Sequence, residues 1–417
     1  MRLKYCLSLA PSATEAKVLS GNDPVSFAPM DAIDNGLGGL SGLTDKPLSE
    51  VASGSYNFFR NGDLLLSKVT PCFENGKKAI AGGLTNDVGY ATSEVFVVRP
   101  ISIDPGYLNY LFSSEEFRQP AIASMTGTGG LKRVDPDAVK NFEIPVLERK
   151  QQELIADFLD QHCGRTESLI SEKQKFIRLL KEKRQALISH VVTKGLDPDV
   201  EMKDSEVTWI GNTPKSWSVA AIKRLTSVQR GASPRPIDDQ VYFDEHGDYA
   251  WTRIADVSKT DGELKETLQR LSSLGSSLSV KLEPESLFLS IAGTVGKPCI
   301  TKIKACIHDG FVYFPTLRKV RTKFLFYVFQ SGEPYKGLGK MGTQLNLNTE
   351  TVGSIKISFP GLEEQDEIVR YIEDRTRKIN KIITETKNSI TLLKEHRTAL
   401  ISAAVTGKID LRDKEVA

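Results

Sequence analysis

The sequence predicts an α+β protein in which two globular domains are joined by two long antiparallel coiled-coil helices, the whole forming a pseudo-twofold internal repeat. Three observations predict it. The string "RQALISHVVTKGLD" starting at Arg184 returns as "RTALISAAVTGKID" starting at Arg397, an offset of 213 residues. Apolar residues around both strings recur at helical spacing. The segments upstream of each string also echo one another in strand, turn and proline. A repeat of this kind has to be recognised before any single element is assigned, because it determines the architecture.

The helices come first. Laying residues 151–197 over 364–410 without a gap gives 17 identities in 47 positions, 11 of them between Leu179 and Thr193. Ile155/Ile368, Leu159/Ile372, Ile170/Ile383, Ile177/Ile390, Leu180/Leu393, Leu187/Leu400 and Val192/Val405 coincide. Gaps of three, four and seven on a charged, proline-free background read as amphipathic helix. Each stretch of roughly 40 residues would span about 60 Å at 1.5 Å per residue. A helix that long cannot bury its apolar stripe on a small domain, so the two copies are expected to pack on each other. The second can begin only after the intervening segment has folded at the far end of the first, which makes the pair antiparallel.

Ahead of the helices, "GDLLLSKVTPCFENGKKAI" from Gly62 resembles "ESLFLSIAGTVGKPCI" from Glu285 in its apolar strand, in Ser67 or Ser290, and in the Gly-Lys at Gly76 and Gly296. "VKNFEIPVLERKQQELI" from Val139 likewise matches "VGSIKISFPGLEEQDEIV" from Val352: a short strand, a proline, then a glutamine leading into the helix. Short alternating strands such as "EVFVVRP" and "GFVYFP" between Gly and Pro turns make each domain mixed α+β. The expected layout is a first globular domain over 1–146, a long helix over 147–195, a linker over 196–217, a second domain over 218–360, a second long helix over 361–410 and a tail over 411–417.

Composition excludes several classes. With 417 residues, 40% hydrophobic and 26% charged, the chain can fill two cores. No apolar run is long enough to span a bilayer, and "MRLKYCLSLAPSATEAKVLS" has too short an apolar region for a signal peptide, so a cytoplasmic location is expected. Five scattered cysteines without a C-x-x-C pair suggest reduced thiols rather than disulfides or zinc. The net charge of +2 gives no global argument for nucleic acid; that has to come from local patches.

The quoted segments, together with "WIGNTPKSW" from Trp209, "WTRIADVS" from Trp251 and "LNLNTETVGSIKISFPGLEEQDEIV" from Leu345, give the chain a resemblance to the specificity subunits of type I restriction-modification systems. The resemblance covers almost the whole chain, although the first half lacks a counterpart of the "WIGNTPKSW" lead-in. It implies two target recognition domains, each reading one half of an asymmetric bipartite double-stranded DNA site, with the helices as spacer. It further implies two methyltransferase subunits docked on the chain and restriction-translocase subunits joining them. S-adenosylmethionine, ATP and Mg are then expected on those partners, with no cofactor or metal on this chain and no catalysis by it.

The residues agree with that division. "GTVGKP" and "TGKID" fail the spacing of a phosphate loop, and there is no Asn/Asp-Pro-Pro-aromatic motif for a target amine. In "PDVEMK" a single residue separates Asp199 from Glu201, too little for two acids that must converge on a metal. A stand-alone nuclease or methyltransferase is therefore disfavoured. A coiled-coil scaffold, or a degenerate specificity subunit without DNA selectivity, is the remaining alternative.

Base edges call for Arg, Asn or Gln, whereas Ser, Thr, Lys and backbone amides hold phosphates. In the first domain these criteria select Lys68, Thr70, Asn75, Lys77, Lys78, Thr126, Thr128, Lys132 and Arg133. In the second they select Arg230, Ser233, Arg235, Arg253, Lys297, Lys340, Thr343, Gln344 and Asn346.

Overall fold

The computed structural model describes residues 1–34, 39–336 and 347–409. Its contacts divide it into two units, one made of Met1–Gln174 with Thr386–Ala417 and the other of Lys175–Glu385. The class is α+β.

The strands of the first unit are β1 (Leu7–Leu9), β2 (Pro24–Ala28), β3 (Thr44–Pro47), β4 (Asn57–Arg60), β5 (Leu64–Ser67), β6 (Lys78–Ile80), β7 (Val88–Ala91), β8 (Val95–Pro100), β9 (Thr126–Thr128) and β10 (Leu131–Arg133). One sheet has the order β1-β8-β5-β6 and a second the order β3-β2-β7-β4. Only β2 and β7 run parallel; the other pairs in these sheets are antiparallel. "LLLS" is buried along its whole length, as a central strand covered on both faces requires.

The second unit opens with β11 (Met202–Asp204), β12 (Asn212–Pro214) and β13 (Ser218–Ala221). There follow β14 (Gln229–Arg230), β15 (Tyr249–Thr252), β16 (Glu263–Leu264), β17 (Gln269–Leu271), β18 (Val280–Leu282), β19 (Leu287–Ser290), β20 (Pro298–Thr301), β21 (Ala305–Ile307), β22 (Phe311–Tyr313) and β23 (Lys356–Phe359). Its sheets run β14-β22-β19-β20-β16 and β17-β15-β21-β18, with β15 and β21 parallel. In these two sheets the topology is, strand for strand, that of the first unit with β16 added at one edge, while β9–β10, β11–β12 and β13–β23 form separate two-stranded sheets. The echo seen in the sequence is thus a repeated fold: Ser67 ends β5 and Ser290 ends β19, each fully buried.

The long helices are Arg149–Lys194 and Leu362–Val405. Each ends at a glycine in the left-handed region, Gly195 at φ 78° and Gly407 at φ 75°, where a side chain would be strained. In the first unit Ile155, Leu159 and Cys163 share a core with Ile401, Ala404 and Val405, and the Tyr107 hydroxyl donates to the Val405 carbonyl (2.9 Å). Arg397 pairs there with Glu167. In the second unit Ile188, Val191 and Val192 share a core with Ile368, Val369 and Ile372, and Arg184 donates to Asn380 at 2.7 Å. Within each unit, moving up one helix means moving down the other, so the segments are antiparallel. Arg184 and Arg397 are repeat mates, as are Glu167 and Asn380, so the repeat reproduces a side-chain contact as well as a pattern. The stripe is refined by one position: Ile188 and Ile401 are buried, whereas Leu187 and Leu400 are only half-buried.

Two further details depart from the sequence reading. The segment read as a linker carries the β11–β12 hairpin, and its Trp217 is buried against Phe324 with its indole N–H donated to Glu364 (3.0 Å). Lys78, read as a DNA contact, is only 2% exposed on β6. Burial, then the neighbouring Arg118 and Arg397 guanidinium groups, push its ammonium down to about 7, with Cys163 acting the other way. Between pH 7 and the ordinary lysine value the unfolded chain binds a proton that the folded chain does not, so stability rises with pH in that window. The stability of the wild type minus that of Lys78→Met should therefore climb by about 2 kcal/mol from pH 7 to pH 9. Urea unfolding at both pH values measures it, and a flat difference would refute the burial of a neutral amine.

Candidate nucleic-acid interface

In the first domain the structure draws most of the candidate residues into one cluster. Residues 126–133, "TGTGGLKR", form the β9–β10 hairpin, exposed throughout. Its base is fixed to the segment leaving β5. The Thr70 N–H donates to the Lys132 carbonyl (2.9 Å), and the Thr70 hydroxyl accepts the Lys132 N–H (2.9 Å) while donating to the Gly130 carbonyl (2.8 Å). The Val134 N–H reaches the Lys68 carbonyl at 2.8 Å. Lys68, Thr70, Thr126, Thr128, Lys132 and Arg133 therefore share one surface, with the Lys68 ammonium 5.6 Å from the Phe96 ring centroid. Arg133 is held by a two-pronged pair to Glu94, at 2.9 and 2.8 Å. Asn75 is exposed in the neighbouring 71–77 loop.

The second domain gathers a different set. β14 is paired to β22, and the chain beyond it is stitched to the β21–β22 turn by Gly231 N–H to the Phe311 carbonyl (2.9 Å) and Ala232 N–H to the Ile307 carbonyl (3.1 Å). A Cβ on Gly231 would stand 2.2 Å from the His308 carbonyl oxygen, so only glycine permits this approach. Arg230, Ser233 and Arg235 then converge on Asp309. The Arg230 Nε donates to its carbonyl (2.5 Å), the Ser233 hydroxyl to Oδ1 (3.2 Å) and the Arg235 Nη2 to Oδ2 (2.9 Å). His308 Nδ1 accepts the Gly310 N–H (2.7 Å), so its 3.6 Å approach to Asp309 is not an ion pair. Burial pushes the His308 imidazolium below its ordinary range, keeping the ring neutral beneath the cluster. Arg253 stands at the N-cap position of the helix Ile254–Ser258, where its backbone N–H (3.0 Å) and its Nε (3.4 Å) both donate to the Asp256 carboxylate. Lys340, Thr343, Gln344 and Asn346 fall outside the described residues.

Of the three lysines chosen from the β5–β6 and β19–β20 hairpins, Lys78 is removed from the surface by burial, and the other two make hydrogen bonds within the fold. The Lys77 ammonium donates to the Met30 carbonyl (3.0 Å), and that of Lys297 to the Ser258 and Thr260 carbonyls (3.0 and 2.7 Å). Lys77 and Lys297 are repeat counterparts, each tying the turn of the β5–β6 or β19–β20 hairpin to the segment that follows the parallel strand β2 or β15. What the sequence reading missed was the acidic partner in each domain, Glu94 and Asp309. Both occupy the turn joining the two sheets, and the signal was an acid at that point of an otherwise apolar pair of strands. Among the described residues no group of His, Cys, Asp and Glu could hold a metal ion, and no helix is long and apolar enough to cross a membrane.

Comparison with known proteins places this geometry. Residues 214–392 match the family model described as the type I restriction modification DNA specificity domain. A 133-residue stretch is 40% identical to the EcoAI specificity subunit of Escherichia coli, spanning 31% of this chain and 22% of that relative's length. The EcoEI specificity subunit of the same organism is matched over 23% of its length, at 36% identity. The putative MjaX specificity subunit of Methanocaldococcus jannaschii is 24% identical over 84% of this chain and 79% of its own. Among solved structures, a chain from a study of complex assembly and conformational transition of the type I R-M system aligns with TM-score 0.81 at 18% identity, covering 98% of this chain and 97% of that one. The HsdS subunit of Thermoanaerobacter tengcongensis aligns with TM-score 0.58 at 17% identity, covering 98% and 96%. The resemblance to type I specificity subunits seen in the sequence is thus borne out, and the structural likeness extends it to the fold of the whole chain.

Proposed function

We propose that this chain is the DNA-reading subunit of a type I restriction-modification complex, in which two target recognition domains, 1–146 and 218–360, each contact one half of an asymmetric bipartite site. The observation that carries this reading is the repetition of one two-sheet fold in the two units, each packed with antiparallel segments of the long helices, while equivalent loops differ, 68–77 between β5 and β6 against 291–297 between β19 and β20. The first copy presents an exposed Thr/Gly/Lys/Arg hairpin, and the second presents "RGASPRP" gathered on Asp309. A shared scaffold with unlike polar loops suits two half-sites of unlike sequence. The long helices act as a coiled-coil spacer with pseudo-twofold symmetry and as the dock for two methyltransferase subunits. Supporting that dock, Leu169 and Leu392 in one unit and Phe176 and Leu179 in the other are 41–64% exposed on the helices. Adenine methylation, with its S-adenosylmethionine, and ATP- and Mg-dependent restriction belong on the partners.

Exchanging residues 1–146 for the corresponding domain of a relative tests the reading. In cells that also express the methyltransferase subunits, methylome sequencing should show one half-site changed and the other retained. Changes in both halves would refute independent domains. Absence of sequence-selective methylation in the wild type would instead favour a scaffold.

A further inference from the structure

In both domains an acidic residue of the turn that joins the two sheets grips arginine side chains of a neighbouring exposed loop. In the first domain this is Glu94, between β7 and β8, on Arg133 of the hairpin. In the second it is Asp309, between β21 and β22, on Arg235, with Ser233 on its other oxygen and Arg230 on its carbonyl. The turns are equivalent: the residue after Ser67 donates its N–H to the Glu94 carbonyl (3.0 Å), and the residue after Ser290 donates to the Gly310 carbonyl (2.9 Å). The sequences of the two turns, "TSE" and "HDG", are unrelated, as are the loops they hold, so the acid recurs without the repeat having preserved it as a string.

Beside a polyanion a carboxylate carries an electrostatic cost, because it offsets positive charge that would otherwise attract phosphate. Its presence in the same turn of both domains needs a compensating benefit. A carboxylate fixes the direction of a guanidinium that otherwise rotates about several bonds, through two prongs for Glu94 on Arg133 and one for Asp309 on Arg235. Reading a guanine edge depends on that direction, whereas attraction to phosphate does not. The Arg133 hydrogen bonds hold the Glu94 carboxyl below the ordinary carboxylate range, so it stays ionised at neutral pH.

We propose that Glu94 and Asp309 are positioning residues, each carboxylate orienting one arginine of its own domain, Arg133 or Arg235, for recognition of a half-site. This rests on the DNA-reading function proposed above. Each acid lowers overall DNA affinity while raising discrimination, and each acts on one half-site only.

The sign of the effect separates this from simple electrostatics. The full chain, reconstituted with its methyltransferase subunits, is titrated with duplexes carrying the site mapped in the wild type, and with duplexes in which one or the other half is scrambled. Glu94→Ala should reduce the intact-to-scrambled affinity ratio at one half-site at least about fivefold, while binding to fully scrambled DNA stays equal or tightens. Asp309→Ala should do the same at the other half-site. Glu94→Gln and Asp309→Asn, which keep an acceptor oxygen, should recover part of the ratio, a rescue that general loosening of the domain would not give. Should an alanine variant melt below the wild type, its amide counterpart carries the test, expected to fall between wild type and complete loss at that half-site alone. Unchanged or improved discrimination would overturn the proposal while leaving the DNA-reading function intact. A wild-type complex that fails to distinguish the duplexes would overturn both.

Discussion

Gln365→Ala should destabilise the second unit by about 3 kcal/mol, because one fully buried side chain satisfies three backbone groups. Gln365 is fully buried at the start of the second long helix. Its carbonyl oxygen accepts the Arg321 N–H (2.8 Å), and its amide nitrogen donates to the Lys319 and Pro360 carbonyls (both 2.9 Å). Arg321 is the N-cap of the helix Thr322–Gln330, and its own side chain does not cap it. The glutamine therefore joins the start of a domain helix to the start of the long helix. Its repeat mate does the same in the first unit. Gln152, 6% exposed, accepts the Asp104 N–H (2.7 Å) and donates to the Leu147 carbonyl (3.0 Å), and Asp104 caps the helix Pro105–Leu111. With two bonds instead of three, Gln152→Ala should cost about 2 kcal/mol. Gln365→Glu should be at least as damaging as alanine, since a carboxylate would face two carbonyl oxygens. The neighbour Gln151, half-buried, serves as control and should cost under about 1 kcal/mol. Chemical denaturation of the variants ranks them, and parity between Gln365→Ala and Gln151→Ala would defeat the account.

That glutamine also shows what the sequence makes legible and what it does not. Aligning the repeats exposes Gln152 over Gln365 as an identity, but an identity does not say whether a residue packs, caps or binds. The role becomes visible only when Asp104 and Arg321, 48 and 44 positions away, are brought to its amide by the fold. Helices are readable because their apolar period is local, and the domain repeat is readable because proline, glycine and strand occur in the same order twice. The interface is half-readable for the same reason. Thr70, Lys132 and Arg133 stand out by their chemistry, and the fold gathers them. Lys77 and Lys297 stand out on the same grounds, yet their ammonium groups close hydrogen bonds to carbonyls 47, 39 and 37 positions away. A lysine's reach is not encoded next to it. Nor is an acid's partner: Glu94 and Arg133 lie 39 positions apart, Asp309 and Arg235 74.

Lengthening both long helices by four residues, where each passes from one unit to the other after Gln174 and after Glu385, should widen the gap between the half-sites and leave their sequences unchanged. The helices hold 46 and 44 residues, about 70 Å each, so the added segment lies deep within both. Four residues add about 6 Å and, at 3.6 per turn, rotate the distal part by only roughly 40°. Apolar residues such as Ile170 and Ile383 stay close to their stripe, so the pairing that buries them survives. At about 3.4 Å per base pair the recognised gap should grow by one or two base pairs. Two inserted residues are the sharper control. They add only about 3 Å but turn the distal part of each helix by roughly 200°, carrying the stripe to the solvent side. That variant should lose site-specific methylation altogether, although it is the smaller change in length. Length alone would predict the opposite ranking, so the pair of insertions separates a spacer that works through helical phase from a passive tether. Methylome sequencing of cells expressing each variant with its methyltransferase partners reads out both gap and sequence. An unchanged gap in the four-residue variant, or full methylation in the two-residue one, would show that the helices do not set the distance.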